Sequence, residues 1–202
     1  MTTLAALKLY ARNPTTALRR VGYKFYELTH PDEPWMAQGA IRFCEASLTR
    51  EMAGFEWGSG RSTAWFALHL GSLTSIEHEP DWFKIVQEKL KRQGIRNVTH
   101  RHIPLNHPPE EPYRPIYDPI PDYVAAVDEF RDGTLDFASV DGHYRNACVA
   151  AVIRKLKPGG LLLIDNTDWL PLPEWGVPPD WELVHQSRNV MTETTIWRKP
   201  QI

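Results

Sequence analysis

The residues with the most chemistry between them lie at positions 55 to 80, in the stretch FEWGSGRSTAWFALHLGSLTSIEHEP. Gly58 and Gly60 follow a short apolar run and precede a helix-like segment, and a carboxylate, Glu77, stands seventeen residues beyond Gly60. Glycine lets the backbone approach a ligand closely, and a helix that starts there offers unpaired amide donors. An acid at the end of the following strand can accept hydrogen bonds from both hydroxyls of a ribose. Together they imply capture of an adenosine-containing or anionic ligand. The alternative is a glycine turn that only joins strand to helix.

A second group of polar residues lies further along. Asp141, Gly142 and His143 follow one apolar run, and Asp165, Asn166 and Asp168 follow the next. In an open parallel sheet, ligands bind beyond the carboxyl ends of the strands, so these two ends are expected side by side. His143 is the candidate general base, because histidine changes charge near neutral pH. The competing role is a cap or hydrogen-bond partner for the next helix. Asp141 is expected to serve the cofactor or the acceptor. His100, His102 and His107 lack accompanying cysteines or a helical i, i+4 pair, so they are not read as a zinc site.

The elements that must position these residues alternate. PWMAQGAIRFCEASL has apolar residues at helical spacing, Trp35 among them, with Pro34 as a helix start. EMAGFEW reads as a strand, and STAWFALHL as a buried helix with Ser62 and Thr63 as cap candidates. SLTSIEH, NVTHRHI, TLDFASVD and LLLIDN are four further strands. PDWFKIVQEKLKRQG, PDYVAAVDEF and YRNACVAAVIRKL are the helices between them, and PGG is a turn into the most hydrophobic strand. Such alternation predicts an α/β fold, a mostly parallel sheet with helices on both faces. WELVHQ and ETTIWRK have no room for a crossover helix between them and are expected to pair antiparallel.

Two proline-rich runs interrupt this rhythm. PLNHPPEEPYRPIYDPIP carries seven prolines in eighteen positions, and TDWLPLPEWGVPPDW follows the fifth strand where a helix normally lies. Both are read as stiff loops over the site. Trp169, Trp175, Trp181, Tyr113 and Tyr117 are candidates to line an acceptor pocket, or else to bury the sheet in the missing helix's place.

At 202 residues the chain is long enough for one well-cored domain, and a net charge of -2 gives no global reason to expect nucleic acid. Cys44 and Cys148 lie in apolar helical stretches and read as buried thiols of a reducing, cytoplasmic compartment. Residues 1–33 read as a basic helical arm: the first 26 residues contain Lys8, Arg12, Arg19, Arg20 and Lys24 and no acid. Such an arm can lie on a membrane surface, pack on the domain or on a second subunit, or serve as a transit sequence. No run of eighteen apolar residues occurs.

FEWGSGRSTAWFA, SIEHEPDWF, DFASVDGHYRNAC and LKPGGLLLIDN, in that order, resemble the signature blocks of class I S-adenosylmethionine-dependent methyltransferases. They are most similar to a small bacterial type with an E-x-G-S-G-x-S-T first motif, and the likeness spans residues 34 to 198. The resemblance implies a Rossmann-like, seven-stranded sheet with its last strand inserted antiparallel, in a domain covering residues 34–202. It places Gly58, Ser59 and Gly60 along the methionine part of the cofactor, Glu56 below its amino group, Glu77 at the ribose and His78 beside the adenine. Ser62 stands where many members carry a third glycine, and Thr63 follows it. Asp141, Asp165 and Asn166 also resemble the magnesium-holding triad of the catechol O-methyltransferase type, which suits a hard cation. That type carries a lysine near the first aspartate, and here the next cation is Arg145.

The expected activity is therefore methyl transfer, and VDGH after the fourth strand favours an oxygen acceptor by analogy. A small-molecule or sugar-like acceptor is expected, and nucleic acid is not. Two other functions stay open: a nicotinamide-dependent oxidoreductase on a related sheet, and a non-catalytic protein that keeps the nucleotide site. Neither the oligomeric state nor the identity of the acceptor follows from the residues.

Overall fold

The computed structural model describes residues 22, 23, 25, 26, 28–108 and 115–201. Lys8, Arg12, Arg19, Arg20 and Lys24 of the basic arm, and Tyr113 of the first proline-rich run, lie outside the described residues.

Seven strands form one sheet: β1 (Ala53–Trp57), β2 (Ser72–Glu77), β3 (Val98–His102), β4 (Leu135–Val140), β5 (Leu156–Ile164), β6 (Glu182–Arg188) and β7 (Glu193–Arg198). Their spatial order is β3-β2-β1-β4-β5-β7-β6. All neighbours pair parallel except β7, which runs antiparallel to both β5 and β6. This is the Rossmann-like α/β arrangement expected, with the last strand inserted antiparallel. The helices are α1 (Gln38–Ser47), α2 (Arg61–His69), α3 (Pro80–Arg92), α4 (Asp122–Ala125, continued as a 3-10 turn to Glu129) and α5 (Arg145–Val152).

Side-chain alternation in the central strands buries both sheet faces. Trp57, Ala138, Val140, Leu162 and Ile164 pack against α4, α5 and Trp175, while Leu73, Phe137, Leu161 and Leu163 pack against α1 and α2. Among the described residues no helix is long and apolar enough to cross a membrane. Cys44 and Cys148 are buried and not joined by a disulfide, and burial with nearby Glu45 pushes the Cys44 thiol up to about 12.

Several local expectations are corrected. Pro34 does not start a helix: α1 begins at Gln38, and Trp35 is 49% exposed instead of sitting in the core. The Pro-Gly-Gly turn lies inside β5 as a bulge, since Leu135 pairs with Leu156 but Phe137 pairs with Leu161. Gly159 makes that bulge possible with φ +78, a conformation costly for any side chain. Where a helix would follow β5 there are two short 3-10 turns, Thr167–Trp169 and Leu172–Trp175. The prolines here remove amide donors, and their rings clash with the carbonyl one turn earlier, so no longer helix forms. Trp175 and Trp181 fill that place as buried core residues.

Candidate active site

The sheet order reverses between β1 and β4, and a cleft of about 530 Å³ opens beyond their carboxyl ends. Gly58 to Ser62, Glu77 to Glu79, Asp141 to His143, Arg145 and Trp169 line it. Trp35, Met36 and Trp82 close its rim. Register brings the ends of β2, β1 and β4 together: Gly58 N donates to Ile76 O of β2 and Asp141 N donates to Trp57 O of β1, each at 3.0 Å. Gly58 has φ +90, and a Cβ there would stand 2.6 Å from Asp141 O. No side chain fits between the two loops, so the turn must be glycine.

Glu56 is fully buried beneath this turn. Ser62 Oγ donates to its Oε1, and Thr63 Oγ1 and Ser75 Oγ donate to its Oε2, all at 2.6 Å. Ser75 reaches it because the two residues are in register across β1 and β2. Burial pushes the Glu56 carboxyl up to about 7 despite these three donors. Ser62 is therefore not a helix cap, whereas Thr63 does both: its Oγ1 also accepts from Gly60 N at 2.9 Å and so caps the start of the helix. The two residues lie in the first turn of α2, whose N-cap is Gly60, and their hydroxyls turn inward.

Glu77 ends β2 with its carboxylate almost entirely enclosed. His78 N and Glu79 N donate to Oε1 at 2.9 and 2.8 Å, and Ser59 Oγ donates to Oε2 at 3.1 Å. Burial alone would raise this carboxyl, but His78, the Glu79 amide and Ser59 turn the balance and hold it below the ordinary range. His100 Nε2 lies 3.0 Å from Ser59 Oγ, whose single proton is given to Glu77, so the imidazole is the donor. Burial lowers His100 to about 4, which keeps it neutral. A carboxylate oxygen carries two lone pairs, so Oε2 can still accept from a ligand hydroxyl.

On the other wall stand Asp141 and His143. His143 meets His78 edge to face with ring centroids 4.3 Å apart. Tyr144, the next residue, is buried in the left-handed region at φ 53 and is tied by its hydroxyl to His107 O. That bulky residue in so unfavourable a conformation fixes the path of the loop carrying His143.

The three oxygen-bearing residues that resemble a magnesium triad do come together, but on a guanidinium. Arg145 Nη2 lies 3.1 Å from Asp141 Oδ1, and Arg145 Nη1 donates to Asn166 Oδ1 at 2.9 Å and to Asp165 O at 2.6 Å. The Asp165 carboxylate points away, accepting from Thr192 and Thr194 of the β7 side. Burial, then the neighbouring Asp141 charge, push it up to about 7. Among the described residues no cluster of three histidine, cysteine or carboxylate side chains could hold a metal. The residues at Asp141, Asp165 and Asn166 do not fit a divalent ion, because a fixed cation already fills their centre.

Of the aromatic candidates among the described residues, only Trp169 lines the cleft, stacked on Arg145 at 4.5 Å. Tyr117 is buried against His107 and Tyr144, away from the cleft. Sequence reasoning missed Trp35, Trp82 and Arg61. Trp82 Nε1 donates to Ser59 O at 2.7 Å, Trp35 stacks on Trp82, and Arg61 lies over Trp35 at 4.7 Å. The nearness of Arg61 to the glycine turn and of Trp82 to Glu77 was a usable signal, whereas nothing local pointed to Trp35. His102 binds the His78 carbonyl and His107 the Tyr144 hydroxyl, so the three histidines do not converge.

No curated protein matches the chain. Solved structures share the fold at low identity. An rRNA methylase from Streptococcus thermophilus aligns with TM-score 0.59 and 14% identity over 80% of this chain and 95% of that one. An RNA methyltransferase from Salinibacter ruber, in complex with S-adenosyl-L-homocysteine, aligns at 0.55 and 14% over 84% and 95%. A tRNA (m1A58) methyltransferase from Aquifex aeolicus aligns at 0.57 and 15% over 82% and 69%. These neighbours overturn the expectation that nucleic acid is not a partner. The same sheet carries RNA methyltransferases, and a small net charge does not separate them from enzymes of small molecules. A family model described as a methyltransferase domain matches residues 55–167, over half of the chain. The chain belongs to the methyltransferase-domain family, on the class I fold of S-adenosylmethionine-dependent enzymes.

Proposed function

We propose that this chain transfers a methyl group from S-adenosylmethionine to a hydroxyl oxygen of a small or sugar-like acceptor. The observation that carries the reading is the enclosed Glu77 carboxylate at the edge of a cleft that also holds Gly58, Asp141 and His143. Glu77 Oε2 receives a ribose hydroxyl, His78 flanks the adenine, and Gly58, Ser59 and Gly60 with the start of α2 take the methionine portion. Glu56, Ser62 and Thr63 form the support beneath that portion. The cofactor brings the electrophilic methyl group, so the chain's residues need only orient the acceptor, take its proton and exclude water. His143 is the base, and Asp141, paired with Arg145, borders the acceptor. Trp35, Trp82 and Trp169 supply flat apolar walls at the mouth. Residues 34–202 form the catalytic unit and 1–33 an appended arm, and the two buried cysteines outside any disulfide suit a reducing cytoplasm.

A second reading, an RNA acceptor, is favoured by the printed functions of the structural neighbours. Transfer of labelled methyl from S-adenosylmethionine to panels of phenols, sugars and total RNA decides between them. Label in an alkali-stable ether of a small acceptor supports the first reading. Label confined to RNA moves the acceptor to the second, and label in neither panel contradicts both.

A further inference from the structure

Arg145 is 6% exposed, opens α5, and reaches across the ends of β4 and β5. Its Nε donates to Gly142 O at 2.9 Å. Nη1 donates to Asp165 O and to Asn166 Oδ1, and Nη2 to Asp141 Oδ1 with a longer contact to Asp141 O at 3.3 Å. A guanidinium has five N–H groups, and here five oxygens of the chain accept them. The Trp169 ring covers one face of the group.

The surrounding chain is built for this cation. Thr192 Oγ1 donates to Asp165 Oδ1 and accepts from both Asn166 N and Asn166 Nδ2. It thereby turns the Asp165 carboxylate away from Arg145 and the Asn166 amide oxygen towards it. Asn166 takes a left-handed conformation at φ 56, which asparagine tolerates better than most residues. A hard divalent ion would need six or more oxygens at about 2.0 to 2.6 Å around an open centre. Arg145 instead supplies one permanent charge that does not dissociate with pH or chelation.

We propose that Arg145 stands in the place of a divalent cation at the acceptor side of this site, so that the chain works without a metal. Resting on the methyltransferase reading, Arg145 is a positioning residue: it holds Asp141, Asn166 and the two strand ends in register and offsets the negative charge of Asp141.

Manganese(II) alone is the probe, followed by electron paramagnetic resonance on the full chain, with S-adenosylhomocysteine binding measured in parallel by calorimetry. The wild type is expected to take up no manganese at concentrations to about 1 mM, the weak end of oxygen-ligand sites. Arg145→Ala is expected to gain one manganese site, lost again when Asp141→Asn is added. Stoichiometric binding by the wild type that Asp141→Asn abolishes would overturn the proposal. So would an Arg145→Ala chain that binds S-adenosylhomocysteine yet takes up no manganese. Should Arg145→Ala not fold, the wild-type titration alone decides. Failure of the wild type to bind S-adenosylhomocysteine, with no manganese taken up, sinks the methyltransferase reading and leaves the placement of Arg145 intact.

Discussion

His143 and Glu77 divide the chemistry at the level of single side chains. His143 lies on the β4–α5 loop at the cleft wall, with its ring against that of His78. His143→Ala is therefore expected to lower turnover by about 10²- to 10⁴-fold, the usual contribution of a general base, while S-adenosylhomocysteine affinity falls by far less. Steady-state rates beside calorimetric titration measure both, and unimpaired turnover would show that the imidazole only positions the loop. The glycine turn, Glu77, Asp141 and His143 were legible in the sequence because each sits at a strand end, where type and spacing alone suggest a role. The inward turn of Ser62 and Thr63 was not. Hydroxyls at a helix start suit capping equally well, and only the buried Glu56, in register with Ser75, draws them down. Arg145 was seen as a departure from a metal triad. Its place at the centre of Asp141, Asp165 and Asn166 depends on Thr192, a residue of the β6–β7 turn that no local pattern links to β5.

At the level of elements, the parallel strands and the hairpin at the end of the chain followed from hydrophobic period and loop length. The proline-rich segment after β5 did not declare its role, because aromatic residues in a loop suit a pocket and a core alike. The fold resolves this by using Trp175 as a substitute for a helix. It is wholly buried, its Nε1 donates to Thr167 O at 3.2 Å, and Asn146 Nδ2 of α5 donates to the neighbouring Glu174 O at 2.7 Å. Trp175→Ala should then cost about 3 to 5 kcal/mol of folding stability, as for other large aromatic truncations in cores. Urea unfolding with an unchanged m-value reads it directly. A loss below about 1 kcal/mol, the range of surface substitutions, would mean that the ring is not part of the core.

At the level of the whole molecule, two buried carboxylates tie stability to pH. Burial raises Glu56 to about 7, above the ordinary 4.5 that holds in the unfolded chain. The native state therefore favours the protonated form. The stability so gained is full below pH 4.5 and is lost as pH rises through about 7. Asp165 acts in the same direction from 3.8 to about 7. Glu56→Gln keeps the shape and removes the titration, so its denaturation midpoint should decline less than that of the wild type between pH 5 and 8. Parallel declines would contradict the assignment of this dependence to Glu56. The central claim, that this cleft is an S-adenosylmethionine site organised on Glu77, is tested most directly by calorimetric titration of the wild type and Glu77→Ala with S-adenosylhomocysteine and with NAD. The account predicts binding of S-adenosylhomocysteine and not NAD by the wild type. It also predicts an affinity about 10- to 100-fold weaker in Glu77→Ala, the worth of hydrogen bonds to a charged group. Binding of NAD alone, or equal affinity for S-adenosylhomocysteine in both proteins, would contradict it.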